Sequence, residues 1–394
     1  MTRTRGRVLV AMSGGVDSSL AAALLLRDGY DVVGCFMRLG SPDEDSGRPI
    51  EAGATCGPEG AGPRAARPRA RGCCSVGDAH DARLVAAKLG IPLYVMNFRR
   101  DFGRIMDYFV AEHAAGRTPN PCIRCNDWLK FGRLHEHAAQ IGARFVATGH
   151  HARIVRREGR AELWRGVDAA KDQSYVLFGI RRDRLASTLL PVGEMTKADV
   201  RAEARRMGLP TFDKPDSQEI CFVPDGDHAR FVELRSPGLR RPGRVIDADG
   251  RPIGEHAGHH RFTIGQRRGL GVAVGRPIYV VGKDPATNTV TVGDRAALAT
   301  ARLSLTDLNW HISDGTMDRL SAGGRVLVQT RAHGAAHAAE VRLSPEFDRA
   351  TVVFDAPIDG AAPGQAAVLY DQERPERVLG GGWIVGRGNP IGAV

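Results

Sequence analysis

The chain has 394 residues, with 55 Lys and Arg against 45 Asp and Glu, a formal net charge of +10, and 42% hydrophobic residues. That length exceeds one typical core and implies two or three domains, and no apolar run reaches the roughly 18 residues a membrane helix needs. The positive balance favours a polyanionic partner, and the N-terminal Met-Thr-Arg-Thr-Arg-Gly-Arg lacks the apolar stretch of a signal peptide, so a cytoplasmic, non-membrane protein is expected.

In chain order, Val8-Leu9-Val10-Ala11-Met12 reads as a buried strand. It is followed by the turn Ser13-Gly14-Gly15-Val16-Asp17-Ser18-Ser19 and a helical run from Leu20 to Leu26. A second strand covers Asp31 to Met37. Residues 41–72 then break the pattern: 11 of these 32 are Gly or Pro and Ile50 is the only large aliphatic. Such a segment cannot bury enough surface to offset its ordering entropy, so it reads as a mobile insert in which Cys56 has no fixed role. Cys73-Cys74, just beyond it, reads as structural.

Alternation resumes with a helix over Asp78–Leu89, a strand over Ile91–Met96 and a helix over Phe102–Ala115. A helix over Trp128–Ile141, a strand over Arg144–Thr148 ending at Gly149-His150-His151, and a helix over Lys197–Met207 follow. Strands alternating with helices predict an α/β fold with a doubly wound parallel sheet and a ligand at the strands' C-terminal ends. From about residue 225, short period-two strands between turns predict two small mainly-β domains, the last a β-barrel. The expected division is 1–224, 225–298 and 299–394.

Three stretches carry chemistry. The strand–turn–helix at 8–26 is an anion cradle, since glycines admit close backbone approach and the helix start favours negative charge. It has neither a Walker lysine nor a G-x-G-x-x-G turn. The second stretch is Thr118-Pro119-Asn120-Pro121-Cys122-Ile123-Arg124-Cys125-Asn126. Its prolines and Asn120 are expected to hold it off helix and strand, leaving Cys125 near the start of the helix at Trp128. The helix dipole and Arg124 or Lys130 would there stabilise a thiolate. By itself C-x-x-C is a redox pair, half of a metal site or two unrelated thiols, and an odd total of seven cysteines argues against a disulfide scaffold. The third is Cys221, between Ile220 and Phe222. It reads either as a small core hydrophobe or, given the polar run Asp216 to Glu219 before it, as a thiol on a loop returning to the active site.

Six motifs occur in order: S-G-G-V-D-S, T-P-N-P-C-I-R-C-N, A-T-G-H-H-A-R, K-D-Q-S-Y, S-Q-E-I-C-F and I-G-Q-R-R-G-L. The first resembles the PP-loop of N-type ATP pyrophosphatases. The set resembles the tRNA-specific 2-thiouridylase family over residues 6–388, interrupted by the insert. The resemblance implies ATP-dependent 2-thiolation of wobble uridine 34 of tRNA. ATP would adenylate the uridine O2, and a persulfide would then deliver sulfur, with release of AMP and pyrophosphate.

By the same resemblance, Ala11, Met12, Ser13, Gly14, Gly15, Val16, Asp17 and Ser18 hold ATP, Met37 and Gly149 pack on the adenosine, and Asp17 helps hold Mg²⁺ or pyrophosphate. Cys221 would carry a persulfide loaded by a sulfur carrier or a cysteine desulfurase. Cys125 would attack the persulfide or the activated base, and a Cys125–Cys221 disulfide would close the cycle. Asn120, Pro121 and Cys122 would meet the target base, and His150, Lys171, Asp172 and Gln173 the anticodon loop. Arg331, Ala332 and Gln365 would contact the stem of tRNAs for Lys, Glu and Gln, with Arg267 and Arg268 in a basic turn.

Two positions depart from the family pattern. Cys122 stands where many members have Asp, and a thiol replaces a carboxylate poorly in acid–base work. Ala332 stands where Tyr is frequent. A triad of Cys122, Cys125 and Cys221 would also suit an iron–sulfur cluster with one open iron. At the level of sequence that alternative stays open. So do another PP-loop tRNA-modifying enzyme or ligase and an RNA-binding protein with a structural metal at the cysteines.

Overall fold

The run Val8-Leu9-Val10 is wholly buried because both of its faces are covered. In the computed structural model, which describes residues 4–40, 76–216, 220–272, 274–312 and 314–388, it forms β1 (Arg7–Ala11) at the centre of a parallel sheet. The expected insert 41–72 with Cys56, the pair Cys73-Cys74, and Ser217 to Glu219 lie outside the described residues.

The sheet also contains β2 (Asp31–Arg38), β3 (Leu93–Asn97), β4 (Phe145–Ala147) and β7 (Thr188–Leu189), in the order β3-β2-β1-β4-β7. All its pairings are parallel. Alternate residues of β1 feed two cores. Val8 and Val10 join α1 (Val16–Arg27) and α2 (Val76–Leu89), while Leu9 and Ala11 join α3 (Arg99–Ala114), Leu129 and Leu134. Helices therefore cover both faces, as the alternation predicted. The chain reverses its direction of winding between β1 and β4, and that crevice is where open α/β sheets place their ligands.

The expected helix at Trp128 begins earlier. Asn120 precedes a helical run that starts at Pro121, continues as nine residues of wider π-helical turns (Cys125–Arg133), and ends in Leu134–Gln140. Proline is compatible with the first helical position, whose N–H has no partner in the helix anyway. Pro121 therefore opens the helix instead of excluding it, and Cys122, not Cys125, occupies the first turn.

After β4 an antiparallel hairpin, β5 (Ala152–Arg157) and β6 (Arg160–Arg165), packs beside the sheet. A helix over Lys197–Arg206 follows, closed at its start by a reciprocal Thr196–Asp199 capping box. Next comes a four-stranded sheet of β8 (Gly243–Ile246), β9 (Pro252–His256), β10 (Tyr279–Asp284) and β11 (Thr289–Gly293), in the order β10-β11-β8-β9.

The last six strands are β12 (Ala299–Trp310), β13 (Gly324–Gln329), β14 (Ala336–Leu343), β15 (Ala350–Asp359), β16 (Ala366–Asp371) and β17 (Val378–Gly388). They close into the expected barrel. Strand β16 is buried at every position. Ala367 and Leu369 fill the barrel, whereas Ala366, Val368 and Tyr370 pack against Ile123, Phe131, Tyr175 and Phe178 of the first region. The barrel thus shares a hydrophobic core with the part of the chain that carries the cysteines.

Candidate active site

At the end of β1 the Gly-rich turn is braced internally. The Ser18 hydroxyl donates to the Gly15 carbonyl (3.1 Å) and accepts from the Ser13 N–H (3.2 Å), and Ser19 donates to the same carbonyl (2.8 Å). Ser13 is left exposed at the tip of the turn. Gly149, at the end of β4, presses on this turn. A Cβ there would lie 2.5 Å from the backbone of Asp17 and Ser18, so only glycine fits.

A charged network holds the turn in place. Lys197 Nζ bonds both carboxylate oxygens of Asp17 (2.7 and 2.8 Å), and His151 Nε2 donates to the same carboxylate (3.2 Å). Burial opposes ionisation of Asp17, but these donors prevail and hold its carboxyl below the usual range. Lys197 also pairs with Asp216 (2.9 Å), which further engages Lys171 and Arg201, each at 2.8 Å. Against the cost of burial, these cations pull the Asp216 carboxyl down to about 2. Lys214 bonds the Gly14 carbonyl (3.0 Å) and the carboxylate of Asp78 (2.6 Å). The short segment before Cys221 is therefore tied to the PP-loop by two lysines.

The other end of the site is apolar. Cys125 and Cys221 are half-buried against the cluster of Phe102, Phe109, Leu129 and Phe222, with Met37 beside them, while Cys122 is exposed. Cys35 is a core residue whose thiol burial pushes up to about 12, which leaves it inert. Arg124 stacks over Trp383 of the barrel, its guanidinium 4.1 Å from the ring centre, and Lys130 Nζ lies 3.5 Å from His150 Nε2.

One cavity of about 700 Å³ joins the two ends. Ala11, Met12, Ser13, Gly15, Val16, Asp17 and Ser18 line it from the turn, and Met37 and Gly149 from the ends of β2 and β4. Pro121, Cys122, Cys125 and Cys221 line it from the thiol side, and His150, Lys171, Asp172 and Gln173 complete the wall. His333, from the barrel, also reaches it. Gly14, Asn120, Arg331, Ala332 and Gln365 are not among the lining residues.

Several residues expected to face RNA have their polar groups engaged within the protein. The Asp172 carboxylate accepts from Arg165, the Gly166 N–H and both the N–H and hydroxyl of Ser174. Gln173 accepts from the His151 N–H (2.8 Å). His150 is buried, and burial together with nearby Lys130 pushes its pKa well below the usual value, so it is neutral at pH 7. Lys130 can only donate, so His150 Nε2 accepts and Nδ1–H donates to Thr148 Oγ1 (2.7 Å). The Arg331 guanidinium donates to the Gly360 carbonyl, and the Ala332 carbonyl accepts from Gln329. Gln365 Nε2 donates to the Thr118 carbonyl (2.9 Å).

Among the described residues no group of three or more His, Cys, Asp or Glu side chains is placed to hold a metal ion. Cys122, Cys125 and Cys221 share a cavity without converging as a ligand set, so an iron–sulfur cluster on these thiols finds no support. Among the described residues, no helix is long and apolar enough to cross a membrane. Sequence reasoning missed His151, Lys197, Lys214 and Asp216 as parts of the site. Only the place of His151 inside the A-T-G-H-H-A-R motif and the polar run before Cys221, which Asp216 opens, hinted at any of them.

Three family models match in succession: a tRNA methyl transferase HUP domain over residues 6–225, a tRNA methyl transferase PRC-barrel domain over 232–294, and an aminomethyltransferase beta-barrel domain over 300–384. The tRNA-specific 2-thiouridylase MnmA of Rhodopirellula baltica is 47% identical over 390 residues, covering 96% of each chain. That of Carboxydothermus hydrogenoformans is 44% identical over 383 residues, covering 96% of this chain and 98% of the relative. The Solibacter usitatus protein of the same name is 45% identical over 385 residues, with 96% and 98% covered. With matches of this identity along nearly the whole length, and with the PP-loop and paired cysteines at one cavity, the chain belongs to the tRNA-specific 2-thiouridylase family.

Proposed function

We infer that the protein is a tRNA-uridine 2-sulfurtransferase that uses ATP to replace the C2 oxygen of a tRNA uridine by sulfur. One observation carries this reading: the anion-binding turn and the thiols of Cys125 and Cys221 line the same cavity. An activating group and a sulfur nucleophile can therefore meet at one base. The base must leave its stack to enter, which an anticodon loop permits at small cost.

In the proposed reaction the turn from Ala11 to Ser18 holds the phosphates of ATP, and the C2 oxygen of uridine 34 attacks the α-phosphorus to expel pyrophosphate. Mg²⁺ held by Asp17 and the nucleotide's own phosphates would offset the charge of the leaving pyrophosphate. The ionised Asp17 suits that cation, which takes one or two carboxylates plus phosphate oxygens. The terminal sulfur of a Cys221 persulfide then attacks C2 and expels AMP, and the Cys125 thiolate attacks Cys221 Sγ, breaking the S–S bond to leave the 2-thio base. Alternatively, Cys125 attacks the persulfide first and frees the sulfur as the nucleophile. Either route leaves a Cys125–Cys221 disulfide for a dithiol to reduce. Cys122 is exposed at the first helical turn, suited to meeting the base with Asn120 and Pro121.

We assign 1–224 to catalysis and 225–298 and 299–394 to gripping the RNA. The acceptors are tRNAs for Lys, Glu and Gln, and the sulfur donor is a persulfide carrier or a cysteine desulfurase. The setting is the cytoplasm, where ATP and tRNA both reside. The test is a reaction with tRNA, Mg-ATP and a persulfide donor, read by nucleoside mass spectrometry. The expected result is 2-thiouridine with one AMP released per modified base. AMP release without thiouridine, or thiouridine formed without ATP, would refute the proposal.

A further inference from the structure

The segment that carries Cys125 does not stand on its own region of the fold. We infer that the C-terminal barrel seats the cysteine-bearing helix, with Arg124, Trp383 and Gln365 as positioning residues for Cys125. This rests on the reading of Cys125 as the attacking thiol.

The grip begins before the helix. The Thr118 N–H donates to the Pro363 carbonyl (2.8 Å), and Gln365 Nε2 donates to the carbonyls of Thr118 (2.9 Å) and Pro119 (3.4 Å). Between them Gly364 adopts a left-handed backbone (φ +91°), and a Cβ there would lie 2.9 Å from the Thr118 nitrogen. The barrel turn and the proline segment thus meet backbone to backbone. The Gln365 side chain, expected at the RNA, has its amide donor committed to this contact.

The grip resumes inside the helix. Arg124, immediately before Cys125, lies 4.1 Å over Trp383 of β17, with Trp128 and Tyr108 at 5.1 and 5.3 Å. A guanidinium so enclosed by aromatic faces is held by cation–π attraction. Asp307 of β12 comes within 3.4 Å of the same guanidinium. It sits at a left-handed position (φ +49°), in the irregular stretch of the β12–β17 pairing. The Arg124 side chain is 16% exposed, so this is an interdomain contact and not a solvated charge. Barrel elements therefore hold the chain on both sides of Pro121–Ile123. A thiol must sit at reacting distance from both a persulfide and a base, and small displacements at such distances are costly. The barrel supplies that placement in addition to gripping the RNA.

The test compares full-length Trp383→Ala, Trp383→Phe and Gln365→Ala with the wild type. Thiolation is measured in single turnover at saturating tRNA, alongside tRNA affinity and tRNA-dependent pyrophosphate release. A fourth readout is the rate at which iodoacetamide alkylates Cys125 without tRNA, followed by peptide mass spectrometry. Trp383→Ala and Gln365→Ala are expected to thiolate about tenfold more slowly, with Kd and pyrophosphate release within about twofold of the wild type and Trp383→Phe largely restored. Cys125 should alkylate several-fold faster in the two Ala variants as the helix loosens. If Trp383→Ala fails to fold, the milder Gln365→Ala decides alone. Weaker tRNA binding with an unchanged rate at saturation would overturn the inference and return Gln365 to the RNA interface. Wild-type rates and alkylation in both Ala variants would also overturn it. A wild-type protein that makes no thiouridine would defeat the functional reading, and alkylation would still report whether the barrel seats Cys125.

Discussion

The two ends of the cavity are built on opposite principles. The nucleotide end is polar and centred on one contiguous turn of seven residues, braced by its own hydroxyls, to which the distant Lys197, Lys214 and Asp216 are added. The thiol end is apolar and assembled from distant parts of the chain, with Cys125 and Cys221 against one core and the barrel's Trp383, from another, stacked on Arg124. The difference fits the work proposed for each end. Stabilising a polyanion needs oriented donors and cations, which a local backbone turn can present. Bringing two thiols to one base needs placement, which only tertiary packing provides.

The sharpest way to separate the ends is to remove the thiols. Cys125→Ser and Cys221→Ser are each expected to lower 2-thiouridine formation by about 10³-fold or more, as loss of a nucleophile does. Pyrophosphate release on adding tRNA should persist for one turnover, because the activating end is untouched. Parallel assays of pyrophosphate and thiouridine check this, and loss of both together would show that the ends are not separable.

The converse change is Gly149→Ala. Its methyl group would meet the backbone of Asp17 and Ser18, so the turn must shift. AMP release is expected to fall about 100-fold, while alkylation of Cys125 by iodoacetamide stays at the wild-type rate. Activity of the alanine variant equal to the wild type would mean that the turn tolerates displacement.

A control that should disturb neither end lies in the middle sheet. Lys283 is partly buried with its Nζ donating to the Phe262 carbonyl (2.9 Å), and desolvation pulls its pKa down to about 8. Against the ordinary lysine value of 10.5, the charged form costs about 3 kcal/mol on folding. Lys283→Met keeps the stem and removes the charge, so near pH 7 it is expected to gain about 2 kcal/mol after the lost hydrogen bond. Below pH 8 the lysine is charged in both states and the penalty is complete. Between pH 8 and 10.5 the folded protein binds fewer protons than the unfolded chain. Wild-type stability therefore rises there, and the advantage of Met fades. Denaturant unfolding at pH 7 and pH 10 measures the difference, and thiolation should not change.

The same contrast explains what could be read from sequence. The parallel sheet, the PP-loop and the closed barrel were legible because periodicity and turn chemistry are local. The start of the cysteine helix was not. Two prolines read as breakers, yet Pro121 occupies the one helical position that suits it. That shift moved Cys122 to the first turn and turned Arg124 toward the barrel. The Lys197–Asp17 and Lys214–Gly14 contacts span about 200 residues, and no local pattern announces them. Gln365 was expected at the RNA on the strength of the resemblance, and no local pattern could say that Thr118 and Pro119 are its partners.

The meeting of both ends at one base is tested most directly by oxygen-18 placed at C2 of the wobble uridine. With Mg-ATP and a persulfide donor, the label should leave the base entirely and appear as one oxygen in the phosphate of AMP, as sulfur takes its place. Unlabelled AMP formed alongside 2-thiouridine would contradict adenylation of the uridine and separate the two ends of the cavity chemically.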